Sequence, residues 1–260
     1  MKLSQLGRGI YVGFVYLLLY LPIAVVVLFS FNNTHRALAW NGFTLKWYQS
    51  LLSDAGLIEV AWHSVLLGVA TATLAAILGT IIAVTLFRYK FFGRKLLHGI
   101  NFMLVLLPEI VIAVAMLLFY NFLNIQLGFN SLLLAHTSLC VPFVVVTVHS
   151  SLSDIDRSIF EAARDLGASD YTTFTRVLVP LLLPAIMAGW LLSFTLSLDN
   201  IIISYFVSGP SFDILPLKIF AMVKLGVKPE VNALCSIMLL LTLITIIVSY
   251  HHLFPKKNHA

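Results

Sequence analysis

The chain has 260 residues, of which 60% are hydrophobic and only 10% are charged, and its mean hydropathy is +0.99. Soluble domains carry about 25% charged residues, so this composition excludes an ordinary soluble domain and indicates an integral membrane protein. The length fits one domain, which we predict over residues 1–260. We expect contact with membrane lipid and no nucleic-acid partner.

Six apolar stretches are long enough to cross a bilayer, because a spanning helix needs about 20 mostly apolar residues. The predicted spans lie at residues 10–31, 62–87, 98–122, 131–150, 182–207 and 231–250. The first is longer than the apolar part of a signal peptide and no small-residue cleavage pattern follows it, so we predict an uncleaved span. The sequence therefore predicts an all-α membrane protein.

The basic residues predict the orientation of the spans, because short cytoplasmic loops carry an excess of Lys and Arg. With the N-terminus inside, eleven basic residues lie on the inner side, namely Lys2, Arg8, Arg88, Lys90, Arg94, Lys95, Arg157, Arg164, Arg176, Lys256 and Lys257. Five lie on the outer side, namely Arg36, Lys46, Lys218, Lys224 and Lys228. Both termini are therefore predicted in the cytoplasm, and a bacterial inner membrane is the simplest location.

The only long charged stretch, residues 153–180, lies on the predicted cytoplasmic side before the fifth span. Its apolar residues recur at helical spacing and predict two short helices. Ser153 is the expected N-cap of the first helix, Gly167 is of the residue type that ends a helix, and Ser169 can cap the second. Pro180 marks the beginning of the fifth span.

Two alternatives are open for this loop on its pattern alone. It could be an amphipathic hairpin on the inner leaflet, or it could bind a cytoplasmic protein. Between Asp154 and Arg176 it carries five acids and three arginines, whereas interfacial helices usually present a basic face. The acidic excess favours a protein partner, and the small residues Ala162 and Ala163 would allow that partner to approach closely.

Glu161-Ala162-Ala163 is followed after three residues by Gly167, and after nine more by Val177-Leu178-Val179-Pro180. This stretch resembles the EAA signature of ABC-importer permeases, E-A-A-x3-G-x9-I-x-L-P, with Val177 in place of Ile and Val179 in place of Leu. The resemblance implies a type I importer permease (MetI-like) fold, with six transmembrane helices and cytoplasmic coupling helices that dock into a cleft of an ATPase subunit. The residues that we expect at this contact are Glu161, Ala162, Ala163, Gly167, Asp170 and Pro180.

The chain contains no G-x-x-x-x-G-K-[ST] sequence, the loop that holds nucleotide phosphates in P-loop ATPases. We therefore expect a non-catalytic pore subunit that binds no cofactor itself, with ATP and Mg²⁺ held by a partner ATPase. Cys140 and Cys235 lie in separate apolar stretches without ligand spacing, and the histidines form no ligand pair, so no metal site is expected.

Two acids lie inside predicted spans, Glu109 in the third and Asp199 in the fifth. A charge at the bilayer centre costs about 2.5–3.5 kcal/mol on insertion scales, so such residues indicate function. Thr195 one turn before Asp199 and Phe206 two turns after it lie on about the same face, and carboxylates beside aromatic rings suit a passing cation. Two alternatives stay open: Glu109 could be solvated near a helix end, and either acid could pair with a base on a second permease subunit.

Six further stretches carry a second resemblance: Gly42–Leu52, Leu107–Ala113, Cys140–Leu152, Leu192–Asn200, Ser208–Lys224 and Lys228–Leu234. Through them nearly the whole chain resembles the permease subunits of spermidine/putrescine importers. The resemblance implies polyamine import by a complex with a second, homologous permease, two copies of an ABC ATPase and a periplasmic polyamine-binding protein. The chain departs from the pattern at Glu109, where Asp is usual, and at Asn200, where a second Asp usually follows Asp199.

Three other functions compete with this one. A secondary transporter could use Glu109 and Asp199 as a proton relay, but it would leave the charged loop unexplained and would be expected to contain inverted repeats. A membrane-embedded enzyme would need a nucleophile–base or metal constellation, which the sequence does not show. The last alternative is an ABC importer of ferric iron or an inorganic anion. An anion pathway would need basic groups near the midplane, and the predicted spans hold none.

Overall fold

The computed structural model describes residues 2–34, 39–156, 158–226 and 229–253. Its helices are α1 (Lys2–Phe29), α2 (Lys46–Ser53), α3 (Ala55–Arg88), α4 (Arg94–Leu106), α5 (Glu109–Phe122), α6 (Phe129–Ser153), α7 (Ser158–Asp165), α8 (Asp170–Thr172), α9 (Val179–Asp199), α10 (Ile201–Val207), α11 (Leu215–Lys224) and α12 (Pro229–Leu253). A π-helical segment, Thr173–Leu178, joins α8 to α9. These ranges contain no β-strand, only an isolated bridge between Asn32 and Phe43, so the all-α prediction is confirmed.

Four stretches among the described residues are long and apolar enough to cross a membrane: Arg8–Phe29 of α1, α3, α6 and the continuous helical stretch Asp170–Asp199. The pair α4 and α5 meets the same criterion when the two are taken together. The last predicted span, residues 231–250, lies in α12, whose apolar part Pro229–Thr245 is shorter. The six predicted spans are compatible with this set, and their number stays a prediction.

The third predicted span is bent, which was not predicted from the sequence. α4 and α5 meet at an angle of 113° around Leu107 and Pro108, instead of forming one helix over residues 98–122. Leu107 is extended (φ −68°, ψ 138°) because the proline ring crowds the preceding residue out of the helical region. Pro108 has no N–H to donate, so the helix restarts after it, with Glu109 in its first turn.

The fifth predicted span, residues 182–207, differs from the prediction at both ends. At its start the helix is continuous with the charged loop from Asp170 onwards. At its end α9 stops at Asp199, and Asn200 has the extended angles φ −78°, ψ 91°. The Asn200 side chain accepts a hydrogen bond from Ile203 N–H at 2.9 Å and caps α10. Asparagine competes with helical hydrogen bonding in this way, and it therefore favours helix ends over helix interiors.

The chain divides into two compact units, residues 1–59 with 218–244 and residues 60–217 with 245–260. In the first unit the Trp47 indole N–H donates to Asn32 O at 2.8 Å and fixes α2 on the turn that follows α1. The prediction of one domain over residues 1–260 stays a prediction.

The second unit contains two apolar cores that share α6. In the first core α6 packs with α5 and α10, through the buried residues Ile112, Ala113, Tyr120, Leu132, Ala135, Leu139, Ile203 and Val207. In the second core α6 packs with α3 and the start of α9, through Ala83, Val84, Leu86, Val144, Val148, Leu152, Leu178 and Leu182. The charged loop packs on this second core through Ile155, Phe160 and Phe174. The first core therefore supports the two helix breaks, and the second supports the loop.

Candidate coupling loop and translocation pathway

The first helix of the charged loop, α7, begins later than predicted. Ser153 is the last residue of α6 and its hydroxyl donates to His149 O at 3.1 Å, so the prediction that Ser153 caps α7 is wrong. α6 continues this far because its apolar face reaches the fully buried Leu152. Asp156 Oδ1 instead accepts from Ser158 N–H at 2.9 Å. This hydrogen bond favours the carboxylate and lowers the pKa of Asp156 below its usual value.

Gly167 ends the turn after α7, as predicted. Its φ is +76°, in the left-handed region that glycine adopts without steric cost. Across it, Ala168 N–H donates to Ala163 O at 3.0 Å, which is the six-residue closure of a Schellman motif. A backbone conformation that favours glycine therefore fixes the direction in which the chain leaves α7.

The exposed side of α7 forms a small surface, which we call the coupling surface: Glu161, Ala162, Leu166 and Gly167. Leu166 is 88% exposed there. Ala163 is only 9% exposed and contributes to packing. The two alanines of the signature thus have different surroundings, since one lies on the surface and the other in the interior. The coupling role of these residues stays a prediction.

The second helix of the loop is capped as predicted, because Ser169 Oγ accepts from Thr172 N–H at 3.2 Å. The prediction that this helix is separate from the fifth span is wrong. The helix passes through a π-helical turn, in which Val179 N–H donates to Phe174 O, and continues into α9. Pro180 follows this turn directly. Since Pro180 cannot donate to the helix, the widened turn accommodates it without ending the helix.

An ion pair joins the start of this second helix to the end of α3. Arg88 Nη2 contacts Asp170 Oδ1, and Tyr89 Oη donates to Asp170 Oδ2 at 3.3 Å. The Arg88 side chain is 10% exposed and the Asp170 side chain is 60% exposed. A pocket of about 260 Å³ lies beside the pair and is also lined by Thr85, Tyr171 and Phe174. Asp170, which was expected at the ATPase contact, therefore has partners within its own chain.

Both predicted pathway acids lie at helix breaks. Glu109 is half-buried in the first turn of α5, directly after the bend at Pro108. Asp199 is exposed and is the last residue of α9, directly before the extended residue Asn200. Each acid thus stands where the backbone of a spanning segment leaves helical geometry.

Of the two side chains predicted to accompany Asp199, only Thr195 keeps the predicted relation. It lies half-buried one turn before the acid within α9, and its hydroxyl donates to Leu191 O at 3.0 Å. Phe206 belongs to α10, beyond the extended residue Asn200, so the helical spacing that put it on the face of Asp199 does not hold. It packs instead against the first core.

The helices that follow the two breaks, α5 and α10, meet at their C-terminal ends. α5 packs against α10, and the C-terminal ends of both helices bond to Ser131. Tyr120 Oη near the end of α5 donates to Ser131 O at 3.1 Å, and Ser131 Oγ donates to Val207 O at the end of α10 at 2.8 Å. Both breaks therefore lie on the same side of Ser131 but at different distances from it, because α5 has 14 residues and α10 has 7. At about 1.5 Å per residue, the N-terminal end of α10, next to Asp199, lies about 10 Å short of that of α5, where Glu109 lies.

A buried polar network bridges the second break and was not predicted from the sequence. His136 of α6 is fully buried, and its Nδ1 lies 2.8 Å from Ser197 Oγ in α9. Its Nε2 lies 3.0 Å from Ser204 Oγ in α10, and the Ser204 hydroxyl donates to Asn200 O. The signal that could have indicated it was the position of His136 inside an apolar span, where ionisable residues are rare and usually functional.

The other histidines and the cysteines contribute no metal site in the part of the chain that is described. No group of three or more His, Cys, Asp or Glu side chains there could hold a metal ion. His63 stacks on Phe212 with ring centroids 4.2 Å apart. Cys140 is buried and Cys235 is half-buried, and neither forms a disulfide.

Comparison with known proteins identifies the family. Residues 75–258 match the family described as binding-protein-dependent transport system inner membrane component. The spermidine/putrescine transport system permease protein PotC of Escherichia coli (strain K12) is 47% identical over 247 residues, which are 95% of this chain and 94% of that protein. PotC of Haemophilus influenzae is 46% identical over 97% of each chain. The putrescine transport system permease protein PotI of Escherichia coli (strain K12) is 39% identical over 87% of this chain and 83% of PotI.

Solved structures of ABC transporters share the fold at low sequence identity. A chain of a bacterial ABC transporter involved in the import of the acidic polysaccharide alginate superposes with a TM-score of 0.75, covering 98% of this chain and 96% of that chain at 13% identity. A chain of the MetNI methionine ABC transporter superposes with a TM-score of 0.64, covering 76% and 94% at 15% identity. These likenesses confirm the predicted importer-permease fold.

Family and fold together decide the class of protein. The family consists of inner-membrane components, and several helices of this chain are apolar and long enough to span, so the chain is a multi-pass inner-membrane protein. The expectation of a transport permease and not an enzyme is confirmed, because the relatives are permease proteins. The chain belongs to the family of binding-protein-dependent transport system inner membrane components.

Proposed function

We propose that this chain is the permease subunit of an ATP-driven importer that carries polyamines, spermidine and putrescine, into the cytoplasm. The observation that carries the proposal is that two carboxylates, Glu109 and Asp199, each lie at a break in an apolar helical segment. The substrate class is supported by similarity to permeases named for spermidine/putrescine and for putrescine transport, over 95% and 87% of this chain.

Carboxylates at helix breaks suit a polyamine for an electrostatic reason. An ammonium group that crosses a low-dielectric region loses its hydration, and a nearby carboxylate offsets part of that cost. The helices α5, α9 and α10 contain no Lys or Arg, so they supply no base that would neutralise Glu109 or Asp199. An anionic substrate would be repelled by the same two groups.

The cytoplasmic side of the proposal concerns the coupling surface on α7. Its exposed Glu161, Ala162 and Leu166 offer an acid, a small residue and an apolar side chain on a helix fixed by Gly167. The chain has no phosphate-binding loop of the P-loop type, so we propose that ATP and Mg²⁺ are bound by a separate ABC ATPase that docks here.

The complete importer would then contain this chain, a second homologous permease, two copies of the ATPase and a periplasmic polyamine-binding protein. We propose that both termini and the charged loop lie in the cytoplasm. The distribution of basic residues supports this orientation, with eleven on the inner side and five on the outer side.

The proposal is tested with the complete complex reconstituted in proteoliposomes. ATP hydrolysis should increase when spermidine-loaded binding protein is added, and it should not increase with the unloaded protein. The purified chain alone should neither bind nor hydrolyse ATP. Stimulation by a ferric-iron-loaded or anion-loaded binding protein, without any response to polyamine, would contradict the proposed substrate and favour the other importers.

The role of Asp199 is tested by Asp199→Asn, which keeps the shape of the side chain and removes its charge. Hydrogen bonds to charged groups contribute about 1.5–3 kcal/mol, so uptake per assembled complex should fall about tenfold to a hundredfold. Spermidine, with three amines, should be affected at least as much as putrescine, with two. The control Asp213→Asn removes an exposed carboxylate outside these helices and should leave uptake unchanged. A smaller amount of complex with an unchanged rate per complex would identify Asp199 as a structural ion-pair partner instead.

A further inference from the structure

We propose that His136 is a positioning residue of the translocation pathway, because its ring bridges the helix break that carries Asp199. The inference rests on the proposed function for the role of Asp199. In the sequence His136 is 61 positions from Ser197 and 68 positions from Ser204, and only the packing of α6, α9 and α10 brings the three residues together.

The hydrogen bonds of this network have a defined direction. The Ser204 hydroxyl has one proton, and it donates that proton to Asn200 O. Ser204 Oγ is therefore the acceptor for His136 Nε2–H, at 3.0 Å. In a neutral imidazole the other nitrogen is then an acceptor, so Nδ1 accepts from the Ser197 hydroxyl at 2.8 Å. The tautomer of His136 follows from this assignment.

The network crosses the break from one helix to the next. Ser197 lies two residues before Asp199 in α9, and Ser204 lies four residues after Asn200 in α10. The backbone of Asn200 is extended, so helical hydrogen bonding does not link the two helices through that residue. Apolar packing tolerates small rotations, whereas two hydrogen bonds to one rigid ring fix both distance and direction. The ring thus sets the angle at which α9 presents its terminal carboxylate.

Neighbouring buried hydroxyl groups show that such pairing is not general in this core. Thr137, next to His136 in α6, and Ser193, one turn before Ser197 in α9, are buried, and their hydroxyl oxygens have no hydrogen-bond partner. The two serines on either side of the break, Ser197 and Ser204, are both paired with His136. Removing one partner would leave a ring nitrogen unpaired in a fully buried position, which costs about 1–3 kcal/mol.

The geometric part of the proposal is tested without reference to the substrate. In a background with Cys140→Ala and Cys235→Ala, Asp199→Cys supplies a thiol at the break, and a water-soluble maleimide measures its labelling rate in the assembled complex. His136→Leu should change this rate at least about threefold, since it removes both hydrogen bonds across the break. The control Thr137→Val removes an unpartnered hydroxyl at the next residue and should not change it. Equal labelling rates in the His136→Leu and unmodified backgrounds would overturn the proposal.

Transport is the second measurement, in the chain that retains Asp199. His136→Leu should lower maximal uptake per assembled complex about tenfold and leave the half-saturating spermidine concentration unchanged, because the binding protein captures the substrate. His136→Gln should restore uptake, since an amide can donate to Ser204 and accept from Ser197. A defect in the amount of complex alone, with a normal rate per complex, would show a merely structural role and overturn the proposal.

The two measurements also separate this inference from the proposed function. Altered labelling in His136→Leu together with normal uptake in Asp199→Asn would support the bridging role of His136 and overturn the pathway role of Asp199. Impaired uptake in Asp199→Asn, together with normal labelling and normal uptake in His136→Leu, would support the pathway role of Asp199 and overturn the bridging role of His136.

Discussion

Arg88, the last residue of α3, forms an ion pair with Asp170, the first residue of the helix that leads from the charged loop into α9. The two residues are 82 positions apart, and Tyr89 donates a second hydrogen bond to the same carboxylate. The loop is therefore attached to a second apolar helix besides the one into which it continues. A protein that binds the loop would act on both.

Loss of the ion pair between Arg88 and Asp170 should lower the rate of uptake per assembled complex more than it lowers the stability of the fold. Arg88→Ala and Asp170→Asn should each lower uptake per assembled complex about fivefold, because a partly exposed pair contributes up to about 1 kcal/mol. The double variant should be no worse than either single variant, since both remove the same contact. Lys90→Ala, at an exposed position two residues after Arg88, is the control. Additive losses in the double variant would show that the two residues act separately.

The turn at Gly167 should tolerate residues according to their backbone preference and not their size alone. A Cβ at this position would meet nothing within 4 Å, so steric overlap does not determine the outcome. The left-handed conformation costs most residues about 1–2 kcal/mol, and asparagine less. Gly167→Asn should therefore retain most ATPase-coupled uptake, Gly167→Val should lose more, and Gly167→Asp, which adds a charge to the coupling surface, should lose nearly all. Normal uptake and normal ATPase binding by Gly167→Asp would contradict the assignment of this surface.

Uptake should depend on the negative charge of Glu109 more than on the length of its side chain. Glu109→Asp keeps the carboxylate in the first turn of α5 and should change uptake less than about twofold, whereas Glu109→Gln should lower it. The loss should be smaller than for Asp199→Asn because Glu109 lies in the first turn of α5, where the positive end of the helix dipole offsets part of its attraction for a passing cation. The effects of both substitutions at Glu109 are measured as uptake of radiolabelled spermidine per assembled complex. Equal losses in the Asp and Gln variants would show that the length of the glutamate matters and its charge does not.

The contact between α3 and α6 should be sensitive to a single methyl group. A Cβ at Gly79 would lie 2.6 Å from Val144 Cβ, and Val144 is fully buried and β-branched, so it cannot move away at low cost. Gly79→Ala should destabilise the purified protein by about 1–3 kcal/mol, measured as a lower midpoint of thermal unfolding in detergent. Gly99→Ala in α4, where a Cβ meets nothing within 4 Å, should be neutral or stabilising. Equal midpoints for the two variants would contradict this packing.

The features predicted correctly from the sequence depend on residues close together along the chain. The apolar stretches predict spanning helices because hydropathy averages over about 20 neighbouring residues. The turn at Gly167 and the cap at Ser169 were predicted because such motifs involve residues within about one helical turn. The EAA signature from Glu161 to Pro180 is likewise a local pattern, and it was sufficient to indicate the family that the comparisons establish.

The helix breaks were only partly accessible to this reasoning. Pro108 and Asn200 are residue types that favour helix ends, but apolar residues surround both, and hydropathy averaged over a whole span obscures a single break. Ser153 was assigned as a cap on its residue type, and burial of the preceding turn of α6 overrode that preference. Local preferences of about 1 kcal/mol give way where a neighbouring helix can bury more apolar surface.

By itself, the sequence determined the helical class, the approximate spans, the charged loop and its signature, because these follow from local composition and spacing. Only the tertiary structure decided that Asp170 pairs with Arg88, and that His136 bridges Ser197 and Ser204 across the break after Asp199. It also decided that α5 and α10, the helices that follow the breaks at Glu109 and Asp199, meet at their C-terminal ends through the bonds that Tyr120 and Val207 make to Ser131. Side-chain hydrogen bonds between helices require donor and acceptor within about 3 Å in the right direction, and that geometry is set by how the helices pack.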